Sequence, residues 1–273
     1  MSLITISCSM GSGGAQIASF VAEELKMDLY DDSRLQQEAL RLGIRHDELG
    51  SLDEKAPGFF DRLRDNQFQA YLDLMESVVY EVARHGKGVI IGHGSQLLLR
   101  DFNCALHVRI YASETSRIKR LVNDRGLRED IARKLIHKSD DAHSGFLRFA
   151  FRMDWNDLSL YDLVINSEKM GDDEAVKIIV EAARSEKIQT CSMTALEKME
   201  RLSLIKKIEA ALLQNNFNPL QYNIDVFEKG KVHITGFTES NEEKSRALNA
   251  VKQIPGVSEL EENIVKAPPG MLL

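Results

Sequence analysis

The chain opens on Leu3-Ile4-Thr5-Ile6-Ser7, a short β-branched apolar run, and breaks at Gly11-Ser12-Gly13-Gly14. Ile17, Phe20, Val21 and Leu25 then recur at helical spacing, and Asp28-Leu29-Tyr30 reads as a second strand. Strand, glycine turn, helix, strand is the opening of a βαβ unit, which predicts a parallel sheet covered by helices. From Ser33 to about Arg84 the pattern is helical: Leu35, Ala39 and Leu42, a polar stretch around Ser51-Leu52-Asp53-Glu54, then Phe68 through Val82. Residues 87–94 form a continuous apolar run ending in glycines, and residues 105–111 form the next strand. Residues 115–122 and 128–138 read as helices separated by the charged break Asn123-Asp124-Arg125-Gly126. A last strand at residues 161–166 and an amphipathic helix at 172–185 complete the set. Five strands alternating with helices predict a three-layer α/β domain over residues 1–186.

Residues 187–196 are polar, lack a period and read as a linker. A helix follows from Glu197 to Leu213, with Leu202, Ile205, Ile208, Ala211 and Leu212 on one face. Residues 222–228 alternate at period two, the turn Lys229-Gly230-Lys231 intervenes, and residues 232–237 alternate again, which describes a hairpin. A helix at 241–252 and a strand at 258–265 give the order α-β-β-α-β, a small α+β domain over residues 197–267. Residues 268–273 read as a frayed tail.

Composition narrows the class. With 273 residues, 43% apolar and 28% charged, the chain fits one large or two unequal globular domains and excludes a disordered or collagen-like one. A net charge of −7 argues against coating nucleic acid or anionic lipid through bulk charge. Cys8, Cys104 and Cys191 are few, odd in number and widely spaced. They suit a reducing compartment and predict neither a disulfide framework nor a CxxC metal pair. No run approaches the roughly 18 apolar residues of a membrane span, and the N-terminus lacks the features of a secretory signal. The expectation is a soluble cytoplasmic protein with no integral membrane segment and no nucleic-acid partner. No His, Cys or Asp cluster shows metal-ligand spacing.

A strand delivering a glycine turn to a helix start suits an anion, because successive amides and the helix dipole point at it. The full P-loop pattern GxxxxGK[ST] is incomplete here: Cys8 stands at its first glycine, and Gly14, Ala15 and Gln16 follow its second. The lysine and the magnesium-binding hydroxyl are both missing. By itself the motif also admits a tight strand–helix connection with no ligand, as the lesser reading.

The wider context is more specific. It comprises the opening strand with Gly11-Ser12-Gly13-Gly14, then Tyr30-Asp31-Asp32 and Val89-Ile90-Ile91-Gly92-His93-Gly94. It continues with His107-Val108-Arg109-Ile110 followed by Arg117 and Arg120, and with Asp154-Trp155 before Tyr161-Asp162-Leu163-Val164-Ile165-Asn166. In colinear order over residues 3–185 this resembles the cytidylate-kinase-like family of P-loop nucleoside monophosphate kinases. The resemblance implies that Gly11, Ser12, Gly13, Gly14, Ala15 and Gln16 cradle the phosphates of ATP, accompanied by Mg²⁺. It implies that Asp31, Asp32, Arg34, Gly92, His93 and Gly94 meet a nucleoside monophosphate such as CMP. Arg117, Arg120, Arg148 and Arg152 would neutralise charge on the transferring group. Arg148 and Arg152 equally suit a solvated acidic face. His107 and Trp155 read as core residues, and Cys8 as a small filler or a reactive thiol beside the helix start.

Three positions depart from the family. Cys8-Ser9-Met10 replaces its Arg-Glu-(Tyr/Phe), Gly92-His93-Gly94 its Gly-Arg-Gly, and Asp140-Asp141-Ala142-His143 its Asp-x-x-Arg. A neutral imidazole is not a permanent bidentate clamp, and losing one such cation costs a kinase about 10³ or more in rate.

At the C-terminal end, Asn223-Ile224-Asp225-Val226, Gly230-Lys231-Val232-His233-Ile234-Thr235-Gly236 and Pro255-Gly256-Val257 with Asn263-Ile264 resemble the BON domain. That resemblance implies a module binding a protein partner or phospholipid, or a structural or dimerising module. Residues 197–266 hold 10 basic and 11 acidic side chains, net −1, so attraction to a charged membrane is unsupported. Two function classes follow: a nucleotide-binding kinase, or a catalytically inactive sensor or scaffold (a pseudokinase) whose C-terminal module recruits a partner.

Overall fold

A computed structural model of the chain describes residues 3–42, 44 and 65–267. The polar stretch at Ser51-Leu52-Asp53-Glu54 and the tail 268–273 lie outside the described residues. Those residues divide into two compact units, 3–37 with 85–195, and 38–42, 44 and 65–84 with 196–267.

The first unit is built on a five-stranded sheet. In chain order its elements are β1 (Leu3–Cys8), α1 (Gly14–Leu25) and β2 (Leu29–Tyr30), followed by α2 (Asp32–Arg41), which runs on into the second unit. Helix α3 (Asp65–Ala83) belongs to the second unit. β3 (Gly88–Ile91), α4 (Ser95–Leu98), β4 (Ala105–Tyr111), α5 (Glu114–Arg125), α6 (Glu129–Phe151), β5 (Leu163–Asn166), α7 (Ser167–Ala183) and α8 (Glu186–Gln189) follow. The strand order is β2-β3-β1-β4-β5, and each neighbouring pair is parallel. Period two explains which face is which. Ile4, Ile6, Val108 and Ile110 form a dry core with Ile17 and Val21 of α1 and Ile179 and Val180 of α7. The alternate positions Thr5, Ser7, His107 and Arg109 are buried as well, but polar. His107 is satisfied there: its Nδ1 lies 2.8 Å from Thr5 Oγ1, and burial holds its pKa below the ordinary value.

Three expectations change. The charged break at residues 123–126 does not interrupt α5, which reaches Arg125 and ends on Gly126 at φ 64°. Helix α6 continues through Phe151 rather than stopping at residue 138. Cys104 and Cys191 form a disulfide across 87 residues, with Cα atoms 5.3 Å apart, and Cys8 takes no part in it. Wide spacing in sequence hid that pair because the segment after α8 returns beside the start of β4.

In the second unit, α9 (Met193–Gln214) precedes β6 (Tyr222–Val226), β7 (Lys231–Thr238), α10 (Asn241–Lys252) and β8 (Glu259–Lys266). The sheet order is β6-β7-β8, the first pair antiparallel and the second parallel. Leu204, Ile208 and Leu212 of α9 pack with Val232, Ile234, Val251 and Ile264. The hairpin turn needs Gly230 at φ 73°, where a Cβ would run into the carbonyl of Gly256. Helix α9 is also covered by α3: Ser203 Oγ donates to the Ser77 carbonyl at 2.8 Å, and Lys206 contacts Asp73 and Glu76. Among the described residues, no helix is long and apolar enough to cross a membrane.

Candidate functional site

The glycine turn lies at the C-terminal end of β1, where parallel sheets place ligands. Gly11 and Gly13 adopt φ of 81° and 82°, a region closed to most side chains. Gly13 is the N-cap of α1 and brings no side-chain acceptor, and no acidic residue occupies the first turn. The first-turn amides therefore remain open to an anion. A cavity of about 270 Å³ faces them, lined by Gly11, Gly13, Gly14, Ala15, Gln16, Asp32, Gly92 and Arg120, together with Asp124, Arg125 and His143.

Ser12 does not face this cavity. Its hydroxyl donates to the Ser9 carbonyl at 2.7 Å, its carbonyl accepts from Ser167 Oγ, and the side chain is buried. Ser12 thus locks the turn rather than offering a ligand. The backbone of Gly11 abuts that of Arg117, a Cβ at Gly14 would strike Cys8, and a Cβ at Gly13 would strike Arg120 and Asp172. Cys8 is in this respect the small filler.

The predicted substrate residues separate. Asp32 reaches the cavity and pairs with His93 Nε2 at 2.8 Å. His93 is itself buried behind it at φ 57°, and Phe151 fills the space beside Gly94. Asp31 accepts the Arg34 amide at 2.9 Å and so caps α2. Arg34 lies 5.9 Å from the Tyr30 ring centroid.

The arginines separate too. Arg117 is buried and gives both Nη groups to Asp140, at 2.9 and 2.7 Å. Arg120 lies against Gly13 and gives both Nη groups to Asp172, while one also reaches Gln16 Oε1 at 3.2 Å. Gly171, at φ 73°, interrupts α7 immediately before Asp172. Hydrogen bonding to Asp172 raises the Arg120 pKa. Arg148 and Arg152 are exposed along α6 and at its end, and neither lines the cavity. Arg125 does line it, is exposed, and has no ion pair among the described residues. Sequence reading missed it because residues 123–126 looked like a break, whereas Gly126 is the cap of the helix that presents it.

Residues 3–169 match the cytidylate kinase-like family, and residues 203–268 match the BON domain. A cytidylate kinase of Pyrobaculum islandicum is 28% identical over 65% of this chain and 90% of its own. A cytidylate kinase of Methanoculleus marisnigri is 28% identical over 66% of this chain and 92% of its own. A solved structure, described as an uncharacterized protein from Eubacterium ventriosum, superposes with a TM-score of 0.54 at 22% identity. It covers 68% of this chain and 100% of its own, and the likeness concerns the fold.

Proposed function

Because the chain belongs to the cytidylate kinase-like family, we propose that its glycine-turn cavity binds the polyphosphate of ATP and that a monophosphate such as CMP enters beside Asp32. Transfer of the γ-phosphoryl group between them is slow. One observation carries this reading: uncapped α1 amides and two guanidinium groups, Arg120 and Arg125, border the same cavity. Phosphoryl transfer depends on positioning and on neutralising charge. The amides would hold the phosphate chain, and Arg120 and Arg125 would offset its charge. Mg²⁺ supplies further neutralisation of the phosphates when bound. No group of three or more His, Cys, Asp or Glu among the described residues is arranged to hold a metal. The ion would therefore come with the nucleotide, and Asp32 and Asp124 are the carboxylates the cavity wall offers it. The slow rate follows from His93 and His143, which stand where the family carries arginine and supply no permanent charge.

A second reading, a non-catalytic nucleotide sensor whose BON-like module recruits a partner, is favoured by a different observation. Arg117 and Arg120 are each already held by an aspartate. A coupled ADP-release assay with CMP, dCMP and UMP, run beside calorimetric titration of Mg²⁺-ATP, separates the two. Turnover above background supports the slow kinase. Binding without turnover supports the sensor, and absence of binding overturns both.

A further inference from the structure

A second cavity, of about 570 Å³, lies between β4, the middle of α6 and the segment from Trp155 to Val164. It shares Ser9 with the glycine-turn cavity and takes Arg109 into its wall. Arg109 projects from β4 on the polar face of the sheet and is only 5% exposed. Its Nη2 donates to Ser9 Oγ at 3.1 Å, its Nη1 reaches Ser7 Oγ at 3.5 Å, and its Cζ lies 3.6 Å from the Trp155 ring centroid. Trp155 is itself fixed, with Nε1 donating to Ser7 Oγ at 2.8 Å and its carbonyl accepting from Tyr161.

What Arg109 lacks, among the described residues, is an ion pair of its own. Arginine is seldom buried this deeply unless paired, because a desolvated cation is costly without a counterion. Each Nη gives one contact to a serine hydroxyl and the indole face attracts the guanidinium, but neither partner carries a charge. Of the two carboxylates in the cavity wall, Asp140 is committed to Arg117 through both oxygens. The other, Asp141, is exposed to water and makes no ion pair with Arg109. Burial correspondingly holds the Arg109 pKa below its ordinary value.

We propose that this cavity is a binding site for a small oxyanion, a phosphate or carboxylate group, received by Arg109 as its missing counterion. A planar guanidinium pre-set by stacking on Trp155 presents the forked donor geometry that such anions take. The site is distinct from the glycine turn and does not depend on the kinase reading.

The chain contains one tryptophan, so its fluorescence reports directly on the partner of Arg109. Inorganic phosphate and acetate are titrated in turn into the full chain, with ionic strength held constant by chloride. A saturable change in Trp155 emission is expected, weakened at least about thirtyfold in Arg109→Met. Arg109→Lys, which keeps the charge but loses the stacked fork, should fall between, and it decides the matter if Arg109→Met fails to fold. A response to both anions supports the site as stated, and a response to phosphate alone supports it for phosphate groups. Two results overturn the proposal: no saturable response, or an undiminished response in both Arg109 variants.

Discussion

Arg120 lies over Gly13, and both of its Nη groups are engaged by Asp172, so a phosphate entering the glycine turn meets a cation already neutralised. The pair is partly exposed, at 28% and 17% of the side chains, and such pairs contribute about 1 kcal/mol or less. Exchange of Asp172 for a phosphate is therefore inexpensive, and the cost appears as reduced affinity. Asp172→Asn should raise affinity for Mg²⁺-ATP about threefold in calorimetry. Unchanged or weaker binding would mean that Arg120 is a structural residue rather than a phosphate ligand. The arginines were legible as a residue type, but their partners were not. Asp140 lies 23 residues from Arg117 and Asp172 lies 52 from Arg120, and only the fold brings them together. Arg148 and Arg152 are the converse case: of the two readings their sequence left open, their exposure agrees with the solvated face.

At the scale of elements, the strands of the first sheet were readable because short apolar runs ending at glycine turns leave strong local marks. β4 and the helix of residues 241–252 match their sequence boundaries. Helix α9 was harder to orient. It is buried on one flank by its own sheet and on another by α3, so the stripe read from Leu202 to Leu212 is only part of what it buries: Leu204 packs with the sheet too, and Ser203 and Lys206 meet α3. The contact with α3 is ionic. Lys206 Nζ lies 3.1 Å from Asp73, 3.0 Å from Glu76 and 2.9 Å from Glu209. Three carboxylates around one ammonium leave excess negative charge, and Asp73 is nearly fully buried. Burial pushes its pKa up from 3.8 to about 6, against the pull of Lys206. Because the folded pKa is the higher, the folded state keeps a proton that the unfolded chain has already lost between these values. This contribution is fully present below about pH 4 and is lost as pH rises through 6; its size is on the order of 3 kcal/mol. Urea unfolding of Asp73→Asn between pH 4 and 7 should show a shallower fall in stability than the parent chain. An equally steep fall would assign the pH dependence to other groups.

For the whole molecule, the cytidylate-kinase-like match is continuous over residues 3–169, yet compactness divides the chain differently. Residues 65–84 lie inside the matched stretch but share a unit with residues 196–267. Colinear sequence cannot reveal this, because an insert between β2 and β3 keeps its order whatever it packs against. A boundary drawn in residues 187–196 would leave α3 behind without the cover of α9. Asp73 and Glu76 would lose Lys206, and the Ser77 carbonyl would lose the Ser203 hydroxyl. Removing one partner from a buried ion pair costs about 3 to 5 kcal/mol. A chain ending at residue 195 should therefore melt roughly 6 to 20 °C below the full chain, or aggregate through the exposed face of α3. Lys206→Met in the full chain isolates the ionic part, and its thermal midpoint should fall as well. A truncated chain that melts with the full-length midpoint, together with a Lys206→Met variant that does the same, would show that the C-terminal helix adds nothing to α3. The two matched regions would then be independent modules, as their sequences read.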